Sequence, residues 1–166
     1  YHPDRVIIEP SGVGKLSDIV KAVQKVHDDV HLHIDGTLTV VDAKKVKMYQ
    51  KNFGEFYNDQ LEEAQVILMS HTQNVSQEKL EQAIALIQTT SQTNVPILLL
   101  KPDDYVDEKY ASYIQKGIYD VLSLDFHERF YLNIVRALSY SRSIQTQTNL
   151  LNDLENAKLQ TQVLFE

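Results

Sequence analysis

Hydrophobic and polar positions along this chain follow two alternating periods. Short apolar runs at Arg5–Glu9, Thr37–Val41, Gln65–Met69, Val95–Leu100 and Val121–Leu124 read as strands. Gln65–Met69 and Val95–Leu100 are continuous rather than alternating, the pattern of strands covered on both faces, and Pro96 is tolerated at a first strand position. Between these runs the spacing turns helical. Leu16, Ile19, Val20, Val23 and Val26 predict a helix over 16–26, with Ser11 or Ser17 as its cap, after the breakers Pro10, Gly12 and Gly14. Further helices are predicted over 53–64, 76–90 and 108–116, the last stopped by Gly117. From His127 onward there is no Pro or Gly, and the chain reads as helical to near its end.

Strands alternating with helices imply right-handed crossovers and a parallel sheet. The expected fold is a three-layer, doubly wound α/β domain over 1–145 with five strands in flavodoxin-like order 2-1-3-4-5, followed by a helical extension over 146–166. One local alternative stays open. His31–Ile34, then Asp35-Gly36, then Thr37–Val41 also fits a hairpin, because Asp-Gly suits a type I′ turn. In the extension, Leu150, Leu154, Ala157, Thr161 and Leu164 alternate at spacings of four and three. That stripe fits either a frayed or back-folded helix or a parallel homodimer contact.

Composition narrows the function classes. The chain has 166 residues, 43% hydrophobic and 23% charged, enough for one domain with a real core. A net charge of −7 disfavours nucleic acid and anionic membrane surfaces, and Lys44-Lys45-Val46-Lys47 is too short to be a basic patch. No cysteine is present, which excludes disulfides and thiol catalysis and fits the expected cytoplasmic setting. No run approaches the roughly 18 apolar residues of a membrane span, and no signal peptide opens the chain. Its start at Tyr1 instead of Met is expected of a processed, excised or engineered chain.

Candidate chemistry is sparse. Ser11-Gly12-Val13-Gly14-Lys15 follows a strand, but a phosphate-binding loop needs Gly where Glu9 stands and Ser or Thr where Leu16 stands. A strand-to-helix turn with weak anion attraction remains. His31 and His33 alternate as zinc ligands can, with His27, His71 and Asp42 as the only third partners in sight; solvated edge histidines explain them as well, and no metal site is expected. Tyr105, Tyr110, Tyr113 and Tyr119 read as helix packing with wet hydroxyls, and Asp103-Asp104 as a turn.

Asp4-Arg5-Val6-Ile7-Ile8-Glu9-Pro10-Ser11-Gly12, Thr39-Val40-Val41-Asp42-Ala43 and Asn58–Leu68 together resemble the later part of the CobW-type GTPase domain, whose members deliver metals or cobalamin precursors. The resemblance covers about residues 2–90. It implies that the family's phosphate loop, switch region and cysteine motif would lie upstream of Tyr1, and that Glu9 alone could keep a magnesium-side role. At the position of the family's Asn-Lys-x-Asp base-recognition pattern stand Ser70-His71-Thr72-Gln73, and Gln73 lacks the charge of an aspartate.

From Asn94, Val95–Leu100, Gly117–Leu122 and Ile134–Leu138 resemble the last two units of a degenerate response-regulator receiver, of the kind preceding cyclic-di-GMP signalling modules. A working receiver needs strand-end carboxylates, a Ser or Thr, and a Lys; Glu9-Pro10, Ser70, Lys101 and Ser123–Asp125 do not supply that set. Two partial resemblances meeting near residue 90–95 imply a fused or engineered chimera. The expected function is a catalytically inert, receiver-like scaffold or signalling domain with no cofactor and a protein signalling partner or a second copy. The alternative is a remnant of a GTP-dependent metal chaperone. Any ligand is expected at the C-terminal strand rim, around Glu9, Ser11, Gly12, Asp42, Ser70 and Lys101.

Overall fold

Four of the five apolar runs pair into one parallel sheet, β1 (Leu38–Asp42), β2 (Val66–Ser70), β3 (Ile97–Lys101) and β4 (Asp120–Ser123), in the order β1-β2-β3-β4. The structure is a computed structural model that describes residues 3–30, 32–92, 94–101, 110–124 and 127–163, with only the backbone of 27–30 and 161–163. Helices α1 (Leu16–Val30), α2 (Val46–Glu62), α3 (Gln77–Thr90), α4 (Tyr110–Gln115) and α5 (His127–Val163) complete the described fold, with a 3₁₀ turn at Thr72–Asn74.

The period of two along each strand divides the core. Val41, Ile67, Met69, Ile97 and Leu99 point to one face and pack with Leu61 of α2, Leu80, Ala83, Ile84 and Ile87 of α3, and Tyr113 of α4. Val66, Leu68, Leu98 and Leu122 point to the other face and meet Phe130, Ile134, Ala137 and Leu138 of α5. The result is three layers, with α1 packed outside them against α2.

The fifth strand and the 2-1-3-4-5 order require correction among the described residues. Arg5–Glu9 forms no ladder, and Val6, Ile7 and Ile8 are 57%, 96% and 49% exposed. Thr39 instead registers directly with Ile67, and Asp42 with Ser70, so no strand lies between β1 and β2. The sequential order also explains the layering. Right-handed crossovers along 1-2-3-4 all fall on one side, which puts α2, α3 and α4 there and leaves the other face to α5. The strand order never reverses, so these four strands contain no topological switch point. On the face that α5 covers over β2 and β4, Leu38 and Val40 of β1 remain 37% and 61% exposed.

The hairpin alternative also falls. Residues 32–37 are irregular, every strand pair is parallel, and neither Asp35 nor Gly36 has the positive φ of a type I′ turn. Gly36 serves close packing instead, since a Cβ there would sit 2.7 Å from Leu138 Cδ2. Other boundaries shift modestly. Helix α2 starts at Val46, seven residues before the expected start, and bends at Phe53, whose φ of −130° and ψ of 27° leave the helical region. Ser76 caps α3 by accepting a hydrogen bond from the Lys79 amide, and Gly117 ends the α4 region at φ +85° as its position predicts. Asp103-Asp104 and Tyr105 lie outside the described residues, as do His31 and Leu164. Among the described residues, no helix is long and apolar enough to cross a membrane.

Candidate functional site

The chain around Glu9, Ser11 and Gly12 runs into α1 through a tight turn in which the Gly14 amide donates to the Ser11 carbonyl at 2.8 Å. All three residues are exposed, and a Cβ on Gly12 would meet nothing within 4 Å, so no close backbone approach demands glycine there. The contacts that hold the turn in place have no signature in the sequence. The Ser17 amide, in the first turn of α1, donates to Asp59 Oδ1 of α2 at 3.0 Å. Gln60 Nε2 donates to the Gly14 carbonyl at 2.8 Å, and the Lys15 ammonium pairs with the Glu55 carboxylate. That pair raises the Lys15 pKa, chiefly through its hydrogen bond to Glu55. Asp59 and Glu55 of α2 therefore occupy two donors that a free anion would use, the Ser17 amide and the Lys15 ammonium, while Gln60 fixes the turn through the Gly14 carbonyl. The cap expected from Ser11 or Ser17 is supplied by Asp59 instead, and the weak anion site is internally filled.

Asp42 and Ser70 end neighbouring strands and do come together. Asp42 Oδ1 accepts from the Lys44 amide at 2.9 Å, while its Oδ2 lies 3.6 Å from His71 Nδ1 and 3.7 Å from Lys45 Nζ. Ser70 Oγ donates to the Val41 carbonyl at 3.1 Å and stands 3.2 Å from the same His71 Nδ1. His71 occupies the left-handed region at φ 56°, which turns its ring back onto these groups. An acid–histidine–hydroxyl relay needs the acid and the hydroxyl on opposite ring nitrogens. Here both face Nδ1, so the cluster cannot activate Ser70 as a nucleophile. Thr72 Oγ1 donates to the Leu100 carbonyl at 2.6 Å and ties this loop to β3.

Lys101 is buried at the end of β3, with Nζ 3.4 Å from Tyr113 Oη and 4.7 Å from the centre of its ring. Tyr113 Oη in turn donates to Gln77 Oε1 at 3.1 Å. The six candidate residues thus fall on three elements: the turn before α1, the paired ends of β1 and β2 at Asp42 and Ser70, and the end of the neighbouring β3 at Lys101. His33 sits in the irregular stretch and faces Asp35 at 3.2 Å, so it lies on no strand, while His31 is outside the described residues. Among the described residues, no group of three His, Cys, Asp or Glu side chains could hold a metal.

Sequence reading places Tyr57 on the packed face of a helix but gives it no role at the Asp42–Ser70 corner. Its side chain is 8% exposed beneath the Asp42 corner, and its hydroxyl is buried without a hydrogen-bond partner. Burial first, then the charge of Asp42, pushes its pKa well above the ordinary tyrosine value.

The family model for the CobW/HypB/UreG nucleotide-binding domain matches residues 1–98, from the Glu9 segment through β1 and β2 and into β3. No curated protein and no solved structure matches the chain. With well over half of its residues inside that match, and with the strand-end motifs at Asp42 and Ser70 in the places the match covers, the chain belongs to the CobW/HypB/UreG nucleotide-binding family.

Proposed function

We propose that residues 1–98 are the base-side portion of a CobW-type nucleotide-binding fold, a remnant of a GTP-dependent metal chaperone that does not by itself hold or hydrolyse GTP. The family match favours this reading over an inert receiver-like scaffold. The observation that carries it is the family match over residues 1–98, which takes in β1, β2 and the corner where Asp42 and Ser70 end them; at the start of α1, the Ser17 amide, a donor that an anion could use, is taken by Asp59. Glu9, the one acid that the family resemblance would assign to magnesium, stands exposed on a segment outside the sheet.

Topology supports the same conclusion. Open α/β sheets bind ligands where the strand order reverses, and β1 through β4 run in one direction without a reversal. A switch point would require a further strand beside β1, where Leu38 and Val40 are uncovered and Asp42 ends the strand. The stretch over 94–145 that resembles a receiver carries β3, α4, β4 and the first part of α5.

Calorimetric titration of the chain with magnesium GTP tests the proposal. The expected result is no saturable binding in the micromolar range. Micromolar affinity, or GTP turnover by the purified chain, would restore the enzyme reading.

A further inference from the structure

We propose that the projecting end of α5 pairs with the same segment of a second copy as a parallel two-stranded coil. Such pairing is independent of any nucleotide chemistry in residues 1–98. Helix α5 has 37 residues and is about 55 Å long, whereas a four- or five-residue strand spans about 17 Å. It follows β4, so it runs back from the C-terminal rim toward the N-terminal ends of the strands. Leu138 packs against Gly36, and the Arg142 guanidinium donates to the Asp35 carbonyl, both just ahead of β1. The helix passes the edge of the sheet there, and every residue from Gln145 to Gln160 is exposed.

A single exposed helical segment of that length is marginal in water. Here it also exposes Leu150, Leu151 and Leu154 at 60%, 62% and 53%. Its continuity from His127 to Val163 keeps the stripe from folding back onto its own domain without breaking the helix. The occupant is indicated by charge. With Leu150 and Ala157 at d and Leu154 at a, Asp153 falls at g and Lys158 at e. A g residue meets the partner's e residue five positions on only when the helices run parallel, so each Asp153 faces a Lys158 across the seam. The antiparallel alternative brings g against g and sets Asp153 beside Asp153.

Sedimentation equilibrium on the full chain at tens of micromolar is expected to give about twice 19.1 kDa. Leu150→Asp/Leu154→Asp is expected to give a monomer that keeps the strand signal of the folded domain. Asp153→Lys should weaken the dimer several-fold, and adding Lys158→Asp should restore it. The chain has no cysteine, so Leu154→Cys is a clean orientation probe, and in a parallel coil it oxidises to a covalent dimer. A monomeric parent chain, a dimer indifferent to the double aspartate substitution, or a Leu154→Cys chain that forms no disulfide would each overturn the proposal.

Discussion

Replacing Asp59 with Ala removes the acceptor that closes the first turn of α1. The lost bond, 3.0 Å from the buried Ser17 amide, is to a charged oxygen, a class that contributes about 1.5–3 kcal/mol net. The loss of negative charge at a helix N-terminus adds about 0.3–1 kcal/mol. Because Asp59 is only half-buried, water recovers part of both effects, and the expected destabilisation is about 1.5–2 kcal/mol. For a chain of this size that corresponds to a drop in Tm of about 3–8 °C. Asp59→Asn keeps an acceptor and loses the charge, so it should cost about 0.5 kcal/mol. Thermal unfolding by circular dichroism gives the stabilities, and amide exchange shows whether the loss sits in α1. Emptying the site should also let sulfate stabilise the Ala variant more than the parent at matched ionic strength. An Ala variant within a few tenths of a kcal/mol of the parent would refute the reasoning, as would an Asn variant as damaged as the Ala one.

Two further substitutions probe the core. Tyr57→Phe removes a buried hydroxyl that has no partner and should stabilise the fold by about 1 kcal/mol near neutral pH in chemical denaturation. Its folded pKa is raised above the unfolded value of about 10, so the parent's stability is intact below that pH and is lost as pH climbs beyond it; the Phe variant should flatten that alkaline decline. Gly117→Ala forces a side chain into φ +85° and drives a Cβ to 2.7 Å from Gln88 Nε2, which now donates to the Lys116 carbonyl at 2.9 Å. The expected loss of about 2 kcal/mol, measured in urea, should shrink in a Gln88→Ala background, which removes the clash but not the backbone strain.

Much of the fold was legible because its signals are local. Apolar continuity marked β2 and β3, the spacing of Leu80, Ala83, Ile84 and Ile87 marked α3, and Gly117 marked the end of α4. The Arg5–Glu9 run failed because strand propensity does not supply a neighbour: Val6 and Ile8 suit a pleated surface, but β1 already pairs with β2. The 31–41 hairpin failed for a related reason. Asp-Gly permits a turn, whereas the backbone there packs against Leu138, about a hundred residues away, a contact with no local signal. At the candidate site, the absence of a phosphate loop was readable from Glu9 and Leu16. The filling of the α1 terminus by Asp59 and Glu55, and the bond from Gln60 to the Gly14 carbonyl, were not, because those contacts span roughly forty positions or more and carry no motif.

The direct adjacency of β1 and β2 underlies both the absence of a switch point among the described strands and the proposal that residues 1–98 do not by themselves hold GTP. Neighbouring strands lie about 4.8 Å apart, within reach of a disulfide, while an intervening strand would separate them by about 9.6 Å, beyond it. Asp42→Cys/Ser70→Cys joins two register partners on the same face in a chain that otherwise has no cysteine. Mild oxidation of the folded double variant, read by mass and by free-thiol titration, is predicted to close an intramolecular disulfide in nearly every molecule. Two free thiols persisting in the folded protein would contradict direct β1–β2 pairing and return a strand to the space between them.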